Sequence, residues 1–111
     1  MTIPTIDPGT FGELQEAAGA DFVTELVTAF LEEAPRILVE LRAAHAAQSA
    51  DRFRRAAHSL KSNSLTFGAT AMATLARELE TGGLPADSLA IDALEHEYAG
   101  VAVALKALCH D

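Results

Sequence analysis

The chain contains four histidines, and one of them has neighbours that suggest chemistry. His58 stands in the run Ala57-His58-Ser59-Leu60-Lys61-Ser62-Asn63-Ser64-Leu65-Thr66-Phe67-Gly68. Arg52, Arg54, Arg55 and Lys61 supply four of the chain's eight basic residues within ten positions that hold no acid. That window carries +4, so the remainder must sum to −12 to give the net charge of −8. A neutral imidazole needs no general base to attack phosphorus, because one ring nitrogen has a free lone pair at about pH 7. Lys61, one helical turn further on, can offset charge on phosphoryl oxygens, and the small Ser62 leaves room for in-line approach. The sequence has no glycine-rich nucleotide loop and no carboxylate pair for magnesium. Such a site would hold a phosphoryl group but would not extract one from ATP.

An α-helix is the element that must position these side chains. At 100° per residue, Phe53, Ala57, Leu60, Ser64 and Phe67 fall within about 80° of arc and form the buried face. His58 then lies about 140° from the centre of that face, with Arg54, Lys61, Ser62 and Leu65 three, four or seven residues away along the helix. The imidazole is expected to face outward. Leu65 shares the outward side, either as a partner anchor or tucked under the following loop. Arg54 and Arg55 either help to dock a partner or pair with acids on the neighbouring helix.

The rest of the chain reads as further helices. Half of the residues are apolar, but only 5% are aromatic and there is no Trp, so the core must come from aliphatic side chains and alanines. That mixture favours helix over strand. Asp7 caps a short first helix with Pro8 at its first position, and Gly19 ends it. Asp21 caps a long second helix whose stripe is Phe22, Leu26, Phe30, Ile37, Leu41 and Ala44, with a kink or restart near Glu33 imposed by Pro35. Ser49 or Asp51 caps a third helix running to about Phe67; Gly68 breaks it before Ala69 opens a fourth. The fifth spans Asp87 to Leu108, with a seam of Ile91, Leu94, Tyr98, Val101, Leu105 and Leu108. Gly100 lies inside it. The expected architecture is all-α, an antiparallel four-helix bundle with a short additional N-terminal helix, forming one domain over 1–111 with its core at about 10–108.

The segment from His58 to Gly68 resembles the motif of histidine-containing phosphotransfer domains: a histidine, any residue, Leu, Lys, Gly, then a glycine ten positions after the histidine. His58, Leu60, Lys61 and Gly68 match in type and spacing. Ser62 departs from the usual glycine but remains small. Phe30 to Pro35 and Leu75 to Glu80 are similar to such domains as well. The resemblance implies a phosphorelay intermediate in which His58 accepts a phosphoryl group from a receiver-domain aspartate and delivers it to another receiver. It gives Lys61 to the phosphoryl group, Gly68 to the close turn, and the surface around His58 (Arg54, Arg55, Ser62, Leu65) to docking. No cofactor is expected on this chain, since magnesium would belong to the receiver. The implied partners are receiver domains of a hybrid sensor kinase and of response regulators. A phosphocarrier of this kind is not an enzyme with turnover of its own.

Composition narrows the remaining classes. The pI near 4.8 opposes attraction to phosphate backbones and anionic lipid, so neither nucleic acid nor membrane is an expected partner. No apolar run approaches the roughly 20 residues of a bilayer span, and the N-terminus lacks the basic start of an export signal. The lone Cys109 suits a reducing, cytoplasmic setting. Met1 and the lack of a linker tail favour a free-standing, monomeric carrier. His96 projects away from its seam as a solvated residue, while His45 and His110 sit near helix ends where a positive charge complements the dipole. No glutamate stands three residues before any histidine, as a carboxylate-bridged metal bundle would require, so no metal is expected. Two other classes compete: an adaptor that binds a response regulator or another acidic partner without carrying phosphate, and a kinase dimerisation segment, which would need a dimer and a nucleotide-binding domain.

Overall fold

The computed structural model describes residues 4–109. Five helices follow one another: α1 (Pro8–Ala18), α2 (Ala20–Ala46), α3 (Ala50–Phe67), α4 (Thr70–Thr81) and α5 (Leu89–Leu108). The described residues contain no strand, and no helix among them is long and apolar enough to cross a membrane.

Local chemistry explains where the helices begin and end. Asp7 accepts from the Thr10 amide at 3.0 Å and from its hydroxyl at 2.6 Å, and Pro8 fills the first turn, where a missing N–H costs nothing. These bonds also hold the Asp7 carboxyl below its usual range. The end of α3 closes on Gly68 at φ +79°, with Gly68 N–H donating to the Leu65 carbonyl and Ala69 N–H to that of Ser64. A side chain at Gly68 would also collide with α1, since an added Cβ would lie 3.0 Å from Thr10 Cβ and 3.1 Å from the Asp7 carbonyl oxygen. Asp7 N–H donates to the Gly68 carbonyl at 2.8 Å, so the start of α1 rests directly on this turn.

The core lies between α2, α3, α4 and α5. Phe53, Leu41, Leu60, Met72, Ile91, Leu94, Val101 and Leu105 are fully buried. Phe30 packs on Phe67 at 5.3 Å and meets Tyr98 edge-on at 5.8 Å, within the range that favours aromatic pairs. Ser64 is the buried polar exception, and its hydroxyl donates to the Leu60 carbonyl at 2.6 Å, which satisfies it within its own helix.

Several sequence expectations need correction. Phe22 is 51% exposed, and the buried stripe of α2 runs through Val23, Val27, Phe30, Ala34, Leu38, Leu41 and Ala44. Adjacent helical positions differ by about 100°, so only one of Phe22 and Val23 can face inward in the first turn, and it is Val23. Ile37 and Leu26 only flank that stripe. Gly19, not Asp21, holds the N-cap position of α2, while Asp21 sits in the first turn, where its charge faces the dipole. Pro35 causes no restart: α2 continues through it as one helix. Proline at 35 leaves the Leu31 carbonyl without its helical donor, and the Tyr98 hydroxyl of α5 approaches that oxygen at 3.5 Å. The α5 helix starts at Leu89, with Asp87 accepting from the Leu89 amide just before it, and Leu108 leaves the seam for solvent. Gly100 is exposed and needs no close neighbour.

Candidate functional site

The site is built by the α3–Gly68–α4 turn. With Phe53, Ala57, Leu60, Ser64 and Phe67 committed to the interior, α3 presents His58 outward, and its side chain is 55% exposed. The turn folds α4 back along α3 and sets Glu80 beside the ring, with Glu80 Oε2 2.6 Å from His58 Nδ1. A carboxylate can only accept, so Nδ1 carries the hydrogen and donates it, and in the neutral ring Nε2 keeps its lone pair. The side chain is thereby held in one tautomer with the nucleophilic nitrogen at its free end.

Lys61 completes the arrangement from below. Its ammonium lies 2.8 Å from Glu80 Oε1, and the lysine and glutamate side chains are only 24% and 14% exposed. The contact is ionic in character, for Oε1 is shielded from solvent and makes no well-aligned hydrogen bond. Lys61 first, and His58 second, hold the Glu80 carboxyl below the usual carboxylate range, so the group is ionised throughout neutral pH. No sequence signal marks Glu80 as a site residue beyond its place in the Leu75 to Glu80 segment, which is similar to histidine-containing phosphotransfer domains. It stands 22 residues from His58 on another helix, and only the returning α4 makes it a neighbour.

The basic window also looks different when folded. Arg54 and Arg55 pair with Asp51 in their own helix at 2.8 and 3.0 Å, not with the long helix, and Arg52 reaches Glu40 of α2 at 2.9 Å. The four cations therefore pair with three carboxylates, Asp51, Glu40 and Glu80, two of them contributed by other helices, which leaves a net +1. Arg54 and Arg55 remain exposed near His58, and Ser62 is exposed without bulk. Leu65 is 55% exposed, which rules out tucking under the loop. It borders a shallow groove with Lys61, Ala73, Thr74 and Arg77.

The other histidines are set apart. His96 is exposed on α5. His45 places Nε2 2.8 Å from the Pro85 carbonyl oxygen, tying α2 to the segment before α5, with its ring 6.1 Å from that of Phe53. His110 lies outside the described residues. Among the described residues no group of three or more His, Cys, Asp or Glu side chains converges as metal ligands would.

Comparison with known proteins agrees with this geometry. The family model of the Hpt domain matches residues 25–104. Among solved structures, the crystal structure of histidine-containing phosphotransfer protein B (HptB) from Pseudomonas aeruginosa PAO1 is similar with a TM-score of 0.87 and 28% identity, over 97% of this chain and 96% of that one. A comparison with curated proteins finds no match. The chain belongs to the Hpt domain family. Hpt domains carry phosphoryl groups on histidine rather than act as kinases, and they interact with receiver domains of two-component systems.

Proposed function

We propose that His58 is the phosphoacceptor of a phosphorelay, taking a phosphoryl group from the aspartate of one receiver domain and passing it to another. The observation that carries this is the outward imidazole whose Nδ1 is engaged by Glu80 while Nε2 is left for the incoming phosphorus. As the Nε2–P bond forms, the P–O bond to the aspartate breaks and its electron pair leaves with the carboxylate. Lys61 supplies counter-charge to the phosphoryl oxygens next to the ring. Arg54, Arg55, Ser62 and Leu65 meet the receiver, and magnesium is the receiver's. Leu60 anchors α3 from its buried face, and Gly68 permits the turn that returns Glu80. The chain works as a single cytoplasmic monomer with its core at about 10–108. Its finer architecture is an antiparallel four-helix bundle of α2 to α5 with α1 set against it. The pairings of Arg42 with Asp92 and Glu95, and of Leu31 with Tyr98, support that arrangement.

Incubation with a phosphorylated receiver domain is expected to label the chain in an acid-labile, base-stable manner, and His58→Gln is expected to abolish the label. Label retained by that variant would remove the proposal. Receiver binding without any label on the wild-type chain would leave an adaptor instead.

A further inference from the structure

From the groove that Arg77 of α4 shares with the exposed Leu65 of α3, we infer that Arg77 determines partner specificity: it selects receiver domains that present a carboxylate next to an apolar side chain. The inference rests on the phosphocarrier reading and deepens it by naming the residues that choose among receivers.

Arg77 is singled out by where the chain's cations go. Eight basic residues share the chain with sixteen acids, so a cation without a carboxylate calls for a reason. Arg42, Arg52, Arg54, Arg55 and Lys61 all stand in ion pairs, whereas Arg36, Arg77 and Lys106 form none among the described residues. Arg36 still shares a groove with Glu32, Glu33 and Glu40. Lys106 sits in the last turn of α5, where a positive charge suits the helix dipole. Arg77 has neither kind of compensation. Three and four positions away on α4 stand Ala73, Thr74, Glu80 and Thr81, and the two oxygens of Glu80 already face His58 and Lys61.

The groove around Arg77 gives the missing partner its chemistry. Its walls are Lys61, Leu65, Thr70, Ala73, Thr74 and Arg77: two cations, an exposed leucine and no carboxylate, on a chain of charge −8. Its volume of about 210 Å³ is below the roughly 300 to 1,000 Å³ of pockets that enclose small molecules, so it suits side chains on the surface of another protein. Lys61 joins the groove to the site, because its ammonium contacts the carboxylate that holds His58. A receiver seated over the imidazole extends across this groove, with an acid reaching Arg77 and an apolar neighbour covering Leu65. A charge at the rim of an interface acts chiefly on the rate of encounter and on the rejection of wrong partners. A receiver with a cation at that place meets like charge and is turned away. Arg77 forms no bond to phosphorus and leaves transfer itself to His58 and Lys61.

The full-length protein would be tested against a panel of receiver domains charged with acetyl phosphate, with initial rates of label transfer measured over a range of concentrations. On receivers that label the wild type, Arg77→Glu is expected to lower transfer efficiency about tenfold, through KM rather than kcat and most strongly at low salt. Leu65→Ser should lower it about fivefold. Lys106→Glu, which makes the same change of net charge on α5, should follow the wild type. Melting temperature and phosphohistidine lifetime should be the same in Arg77→Glu as in the wild type, because the arginine serves neither the core nor the P–N bond. Reversing the receiver's surface carboxylates to lysine one at a time should yield a variant that restores transfer to Arg77→Glu. Amide signals of Leu65, Thr74 and Arg77 should shift when unphosphorylated receiver is added to isotope-labelled wild type, a readout that depends on no variant. Equal rates for Arg77→Glu and Lys106→Glu on every receiver, failure of every reversal, or a titration that leaves this groove unmoved would overturn the inference while leaving His58 as acceptor. A shortened phosphohistidine lifetime in Arg77→Glu would also overturn it, by placing the arginine in the chemistry. Failure of the wild type to take label from any receiver would instead remove the phosphocarrier reading, and this inference with it.

Discussion

His45 and His58 each rest one ring nitrogen against an oxygen of a neighbouring segment, but they do so with opposite ends of the ring. His45 engages Nε2, the outer tip, with the neutral carbonyl of Pro85, and its ring lies against Phe53 in a half-buried setting. His58 engages Nδ1, the inner nitrogen, with the carboxylate of Glu80, and leaves its tip in solvent. The first arrangement makes a tether between segments, and the second makes a nucleophile backed by an anion. The number of hydrogen bonds is the same, so the difference lies in which nitrogen is engaged and in the charge of its acceptor.

The largest test of that contrast exchanges each ring for an amide. His58→Gln is expected to lose all receiver-dependent label, and His45→Gln to keep it; loss of label in both would mean that the tether also serves the chemistry. A smaller effect attaches to Lys61. Lys61→Ala should slow phosphotransfer by about tenfold with a modest loss of stability, because truncation leaves the largely shielded Glu80 carboxylate without its cation. A fall in melting temperature with phosphotransfer unchanged would make the lysine a structural residue like His45. Next in size, His45→Ala should cost about 1 kcal/mol, the worth of one hydrogen bond, with phosphotransfer unchanged; a melting curve identical to wild type would deny the tether.

The smallest effect is one of pH. The folded Glu80 carboxyl titrates below its unfolded value, so its contribution is complete above the usual carboxylate range and is lost as pH falls through the lower folded value. Acid unfolding monitored by circular dichroism should therefore show the stability advantage of wild type over Glu80→Gln shrinking on the acid side. An advantage that grew with acid would reverse the assigned sign.

How much of this could be read from the sequence depended on how local each feature is. His58, Lys61 and the buried face of α3 obey spacings of three and four, which a single helix imposes whatever surrounds it. Gly68 was legible for a similar reason, since a left-handed helix end is a local demand. Glu80 was not legible as a site residue, because its meeting with His58 depends on how α4 returns. The excess of positive charge misled for the same reason: Glu40 and Glu80 approach only in three dimensions. At the start of α2, two adjacent apolar residues, Phe22 and Val23, gave the pattern two phases, and the larger side chain went to solvent. The continuous α2 was hidden by Pro35, whose freed Leu31 carbonyl meets Tyr98 from 67 residues away.

That last contact has a practical side. Tyr98 is the chain's only tyrosine and there is no tryptophan, so near-ultraviolet absorption and intrinsic fluorescence report mainly on the α2–α5 seam. Burial holds its phenol above the ordinary ionisation value, and the optical signal should therefore record melting of the seam while remaining nearly blind to phosphate arriving at His58.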